Sequence, residues 1–261
     1  MRRTFTVPRT IPSLTASAVL GAALVVTGPA GAQAAALPAA PSATPHTASP
    51  VSAAPVAAAS AARPTLRRGS SGQAVRTLQK RLNALGYWTG GAADGEFGGL
   101  TEQAVFALKK VAGLKRDGVV GPKVWRALDR GVRPKARSTT GHVIEIDKKR
   151  QVLKIVNDGR VTYTLNTSTG TGRSYVSQGS THIASTPSGH FRVFRQIDGY
   201  RHAPLGVLYR PKYFNGGIAV HGSNSVPPYA ASHGCARLSN TAINWIWNSN
   251  KMPIGTRVWV Y

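Results

Sequence analysis

The chain has 261 residues, with 33 Lys and Arg against nine Asp and Glu, one Cys, and a formal charge of +24. A single Cys excludes an internal disulfide framework and any multi-Cys zinc or iron–sulfur site. So few carboxylates leave little material for a carboxylate-held metal cluster or a two-acid glycosidase site.

The first segment carries Arg2, Arg3 and Arg9 and no acid. A short apolar stretch follows over 16–26, and Ala32-Gln33-Ala34 offers a small-residue exit. This reads as a secretory signal peptide over 1–34, because the apolar run is shorter than the ~20 residues a membrane span needs. No Cys stands near the exit to carry a lipid, and no membrane span is expected after cleavage. Residues 35–64 are almost all Ala, Pro, Ser and Thr. They hold too little bulky apolar surface to offset their ordering entropy, so a disordered tail or wall-spanning spacer is expected.

A small three-helix domain is expected over 65–131. Val75, Leu78, Leu82 and Leu85 form one apolar stripe at helical spacing, ended by Gly86. A second helix is expected from Thr101 to Val111, with Ala104, Val105 and Leu108 facing in. A third starts at Pro122, suited to a first helical turn, and buries Val124, Trp125 and Leu128. Asp94-Gly95-Glu96-Phe97-Gly98 precedes the second helix, and Asp117-Gly118-Val119-Val120-Gly121 precedes the third. This is a repeated Gly-rich turn feeding a helix. Gly69-x-x-Gly72-x-x-Val75-x-x-Leu78-Gln79, Leu85-Gly86-Tyr87 and the two Asp-Gly turns resemble the peptidoglycan-binding domain of many wall enzymes. Leu108-Lys109 departs from that family's usual Phe-Gln.

Residues 132–140 read as a short connector, and 141–261 as a β-rich domain. Strands are expected at 143–146, 152–156, 161–165, 191–193, 218–220 and 257–261, with a hairpin signal at Asn157-Asp158-Gly159. A short helix is expected around Thr241 to Trp247, capped by Ser239 or Asn240. One of Trp245 and Trp247 is expected in the core and the other as a half-exposed ridge. Tyr200, Tyr209 and Tyr213 read as loop packing, with lining of a groove as the alternative. The fold class is therefore α+β: a small three-helix domain followed by a β-sandwich-like or barrel-like domain.

Chemistry concentrates between Val220 and Leu238. Cys235 lies two residues after His233 and 14 after His221. A lone Cys in an exported chain is either a buried small hydrophobe or a nucleophile. Ser, His, Gly and Arg neighbours favour the second, because imidazole, cation and backbone N–H groups stabilise a thiolate. Either histidine could serve as base; pattern favours His221, which follows a strand and can meet a returning loop. His142, His182, His190 and His202 lie apart without ligand spacing and read as structural or surface residues.

His221-Gly222 followed by Ser232-His233-Gly234-Cys235-x-Arg237-Leu238 resembles the signature of the L,D-transpeptidase (YkuD-type) catalytic domain. Thr186-Pro187-x-Gly189-x-Phe191 and Pro253-Ile254-Gly255-Thr256 add to the resemblance. It implies Cys235 as nucleophile and His221 as proton acceptor and donor, with Gly222 backbone orienting the imidazole. It also implies oxyanion or substrate contacts from Gly222, Ser232, His233, Gly234 and Arg237, and neither metal nor cofactor. The implied reaction releases D-Ala from a peptidoglycan stem peptide through a thioester and forms a 3-3 cross-link. An L,D-carboxypeptidase sharing the acyl-enzyme and a non-enzymatic wall-binding protein are the alternatives. Expected partners are stem peptides, glycan strands and anionic wall polymers. No nucleic-acid motif accompanies the positive charge. An exported, wall-associated protein follows from these readings.

Overall fold

The computed structural model describes residues 63–261. The expected signal peptide and nearly all of the expected spacer lie outside them. Among the described residues, no helix is long and apolar enough to cross a membrane. The architecture is α+β, with four helices among the described residues, three before the first strand and one near the end.

Helix α1 (Gln73–Ala84) buries Val75, Leu78 and Leu82. Leu85 follows as a half-buried C-cap. Helices α2 (Gly99–Val111) and α3 (Pro122–Asp129) complete the module. All three helices follow a glycine and lack a side-chain cap bond. The first Asp-Gly turn is instead held by the buried Gln79. Its Nε2 donates to Asp94 Oδ1 (2.7 Å), Glu96 O (2.9 Å) and Thr101 Oγ1 (2.9 Å), and its Oε1 accepts from Gly95 N (2.9 Å). In the second turn Lys109 does this work, donating to Asp117 Oδ1 and to Val119 O at 2.5 Å. The departure from Phe-Gln thus replaces an amide staple with a charged one.

Strands β1 (His142–Asp147), β2 (Val152–Asn157) and β3 (Arg160–Asn166) form a meander. Asp158 and Gly159 make its two-residue turn with φ of 44° and 74°, matching the twist of the flanking strands. The C-terminal β12 (Arg257–Val260) pairs parallel to β1, and β6 (Gly189–Arg192) closes the sheet in the order β3-β2-β1-β12-β6. Between them run β4 (Ser174–Ser177) and β5 (Ser180–Ile183), a separate hairpin. The second sheet holds β7 (Arg195–Gln196), β8 (Tyr200–Ala203), β9 (Gly206–Asn215), β10 (Ile218–Ser223) and β11 (Ala236–Ser239). Its main order is β11-β10-β9-β7, with β8 paired to β9. Helix α4 (Asn240–Asn248) is capped by Ser239, whose side chain accepts from Ala242 N at 3.2 Å.

Ile144, Ile146, Leu153 and Ile155 from the first sheet meet Phe214, Val220 and Leu238 from the second, with Ile243 and Ile246 of α4 between them. The outer face of the first sheet is also covered. Val152 joins the apolar cluster of the helical module, and Thr164 is fully buried, its N–H donating to Gly86 O (2.8 Å) and its O accepting from Trp88 N (3.2 Å). The helical module thus covers the polar Thr164 of β3. The connector is likewise laid against β1: the Arg137 and Ser138 N–H groups both donate to Glu145 Oε1, at 2.8 and 2.7 Å. Trp245 and Trp247 are both half-buried, so the expected split between core and ridge does not occur. Trp245 packs on Trp88 and Tyr163, and Trp247 takes the Lys212 ammonium on its face at 3.8 Å.

Candidate active site

Two-residue periodicity along β10 and β11 sorts the core from the site. Val220, Ala236 and Leu238 point into the sandwich. His221, Cys235 and Arg237 line a groove of about 640 Å³ on the opposite face. The strands are parallel with His221 opposite Arg237. Cys235 stands two residues before Arg237 on the same side, diagonal to His221. The β9–β10 register shifts between Val220 and Gly222, and Arg210, across from the shift, has φ 48°. Such irregularities re-aim side chains, and this one sits beside His221.

His221 is 5% exposed. Its Nδ1 lies 2.8 Å from Gly222 O. A carbonyl only accepts, so Nδ1 carries the proton and Nε2 keeps its lone pair. Burial lowers the His221 pKa to about 4, with the Gly222 bond opposing and Arg237 adding to the shift. The ring is therefore neutral at neutral pH. The position after it admits no side chain: a Cβ on Gly222 would lie 2.7 Å from Asn240 Oδ1 and Ile243 Cγ2, and 2.9 Å from Tyr209 Cδ1.

Cys235 Sγ accepts from Ala219 N at 3.4 Å and lies 3.8 Å from Gly217 O. Burial raises its pKa, outweighing the lowering by the Ala219 N–H and by Arg237. The thiolate-stabilising effect of the neighbours is present but smaller than that of burial. The resting pair is a thiol and a neutral imidazole.

The Cys235 loop is pinned from several sides. Ser232 is buried, and its hydroxyl donates to Cys235 O (2.6 Å) while accepting from Gly234 N (3.1 Å). Ser232 thus holds the loop instead of offering its hydroxyl to the groove, and the Gly234 N–H, expected as an oxyanion donor, is already engaged. Thr186 Oγ1 donates to Gly234 O at 2.5 Å and accepts from Gly170 N at 2.9 Å. Its motif was visible in the sequence, but this bond was not. Gly234 has φ 157°, and a Cβ there would sit 3.0 Å from Ser185 O.

His233 is exposed and meets the Tyr175 ring edge-on at 4.7 Å, while Tyr175 stacks on His182. This sets His233 on the groove wall, away from the role of base. His182, expected to be a structural or surface residue, lines the groove. Tyr209 and Tyr213 lie on β9 and Tyr200 on β8, so the loop reading of these tyrosines is corrected; Tyr213 lines the groove. Arg195, Arg201 and Arg237 also line it, and no carboxylate among the described residues does. Sequence reasoning missed the β4–β5 and β8–β9 hairpins that build these walls. The Gln178-Gly179 turn, with φ of 51° and 75°, was the available signal for the first.

The L,D-transpeptidase catalytic domain family matches residues 141–260, and the peptidoglycan binding domain family matches 71–128. An L,D-transpeptidase structure from Xylanimonas cellulosilytica is 54% identical, covering 75% of this chain and 97% of that one, with a TM-score of 0.73. The N-acetylmuramoyl-L-alanine amidase CwlL of Bacillus licheniformis is 44% identical over 78 residues, 29% of this chain and 22% of the amidase. A zinc D-Ala-D-Ala carboxypeptidase of Streptomyces albus G is 43% identical over 67 residues, 24% of this chain and 26% of that enzyme. The chain thus spans about a quarter of these two curated relatives, whereas it covers 97% of the transpeptidase structure. By that match, the chain belongs to the L,D-transpeptidase family.

Proposed function

We propose that this protein is an exported cysteine acyltransferase that acts on peptidoglycan stem peptides and forms 3-3 cross-links. Residues 1–34 serve as its signal peptide, 35–64 as a spacer, 65–131 as the wall-binding domain, 132–140 as the linker and 141–261 as the catalytic domain. The observation that carries the reading is a neutral His221 and a Cys235 thiol sharing one groove whose charged lining residues are all arginines. A stem peptide is an anionic substrate; Arg237 lines the groove with no ion pair found for it among the described residues, which supports a role in meeting a substrate carboxylate.

His221 Nε2 accepts the thiol proton as Cys235 Sγ attacks the carbonyl preceding D-Ala. We assign the Cys235 N–H to stabilise the developing oxyanion. Collapse of the tetrahedral intermediate breaks the C–N bond, and His221 returns the proton to the departing D-Ala amine. The thioester on Cys235 remains. The amine of a second stem then attacks it, His221 takes that amine's proton, and the thiolate leaves and is reprotonated.

Cys235→Ala is expected to abolish all turnover of disaccharide-tetrapeptide while sedimentation with purified wall stays unchanged. Intact mass of the unaltered chain during turnover should show an adduct on Cys235, loss of D-Ala and a cross-linked dimer. Tripeptide without dimer would replace transfer by hydrolysis. Full activity in Cys235→Ala would overturn the nucleophile.

A further inference from the structure

The loop joining β10 to Cys235 is held largely from outside the catalytic sheet. Gln103, on α2, donates from Nε2 to Val226 O at 3.2 Å. Asn166, at the end of β3, donates to both Gln103 Oε1 (2.6 Å) and Val226 O (3.1 Å). Arg116, after α2, donates to Pro228 O at 3.1 Å. Lys110, also on α2, is 3% exposed and has no carboxylate partner among the described residues. Its ammonium donates to Gln151 O (2.7 Å), Thr167 O (3.1 Å) and Asn166 Oδ1.

Those acceptors lead to the nucleophile. Thr167 Oγ1 donates to Arg237 O (2.8 Å), and Ser168 pairs with Arg237 through the backbone. Ser168 Oγ donates to Tyr229 O (2.7 Å), and Ala231 and Ser232 donate from their N–H groups to Thr169 O. Cys235 and His221 are thus connected by a segment whose middle is bonded to the helical module.

We infer that Gln103 and Arg116, within the stretch matching the peptidoglycan binding family, are positioning residues that clamp the 224–231 loop and so set Cys235 against His221. The module is then part of the catalytic unit as well as a wall anchor. This rests on the acyl-transfer reading for its kinetic consequence, and on the hydrogen bonds alone for the clamp. Both bonds end on backbone carbonyls, so losing either donor loosens the loop, which keeps its bonds from Asn166 and Ser168, without leaving a buried charge. Gln103 sits half-buried on a helix, where Ala is readily accommodated.

The test uses the full chain carrying Gln103→Ala, Arg116→Ala or Gln103→Glu. The last keeps the volume and the bond from Asn166 but sets an acceptor against the Val226 carbonyl. Amide hydrogen exchange across 224–235 should accelerate at least tenfold in each variant. For disaccharide-tetrapeptide, kcat should fall about tenfold with KM within twofold and the urea midpoint little changed. Gln103→Glu should be no better than Gln103→Ala, whereas a space-filling role would let it restore activity. Unchanged exchange overturns the clamp, and faster exchange with unchanged kcat overturns the positioning role. If the Gln103 variants fail to fold, Arg116→Ala carries the same test from outside the helix. If the unaltered chain shows no turnover, the acyl-transfer reading fails. The clamp is then decided by exchange and by the rate of Cys235 alkylation with iodoacetamide, which should differ between variants and the unaltered chain.

Discussion

At the residue scale, the site separates two tasks that a thiolate–imidazolium pair would merge. Burial keeps His221 neutral down to about pH 4 and keeps Cys235 a thiol. In the proposed mechanism His221 serves as the base, with its Nδ1 proton committed to Gly222 O. In that mechanism the Cys235 thiolate forms only as the thiol proton moves to His221. The pH dependence follows directly. His221 loses its function when protonated, and its lowered pKa moves that event from the ordinary 6.5 to about 4. Acylation of Cys235 by stem peptide, followed by intact mass, should stay level from neutral pH down to about 5 and then decline with an apparent pKa near 4. A decline centred at 6.5 would mean a solvated imidazole and would defeat this account. His221 and Cys235 stood out as candidates because Ser, His, Gly and Arg are poor company for a core Cys. The resting protonation was not readable, because it depends on how deeply the groove buries both side chains.

At the element scale, the same staple appears twice with different chemistry. Gln79 satisfies the first Asp-Gly turn and Lys109 the second. The hydrogen bond from Lys109 is the leading cause that holds the Asp117 carboxyl below its usual pKa. Gln79→Ala leaves the Gly95 N–H and the Thr101 hydroxyl without their amide partner. This should cost about 1–3 kcal/mol, read as a lower urea midpoint with the slope unchanged. An unchanged midpoint would mean that the turn is held by its backbone bonds alone. The helices and the main strands were legible because their periodicity is imposed by burial on one face. The β4–β5 hairpin was not, since none of its residues is buried and its apolar Val176 and Ile183 stand exposed. The same applies to the groove walls it contributes. Gln103, Lys110 and Asn166 were invisible as interface residues for another reason: polar residues buried between two modules carry no apolar signal.

At the scale of the whole molecule, Glu145 ties distant parts of the chain together. It is fully buried and paired with Lys154 at 2.5 Å. It also accepts from the connector at Arg137 and Ser138 and from the Tyr261 hydroxyl near the C-terminus at 2.9 Å. Burial pushes its pKa up, but the bonds from Lys154 and Ser138 outweigh this and hold it below the ordinary carboxylate value. Stability from Glu145 is therefore fully present above about pH 4.3 and is lost as pH falls through its lower folded pKa. His221 works in a different window. Its folded pKa is also depressed, here because burial excludes the charge, so the unfolded chain binds the proton first. Stability should fall on the order of 3 kcal/mol between about pH 6.5 and 4 from this residue alone. Urea midpoints measured from pH 7 to 3 should thus show two successive losses. His221→Ala should remove the upper one and keep the lower. Glu145→Gln should remove the lower one and, by leaving the Lys154 charge buried without its partner, lower stability at neutral pH by about 3–5 kcal/mol. A single loss confined below pH 4.3 would show that His221 is solvated in the folded chain. An unchanged midpoint in Glu145→Gln would show that the connector, the first sheet and the C-terminus hold together without this carboxylate.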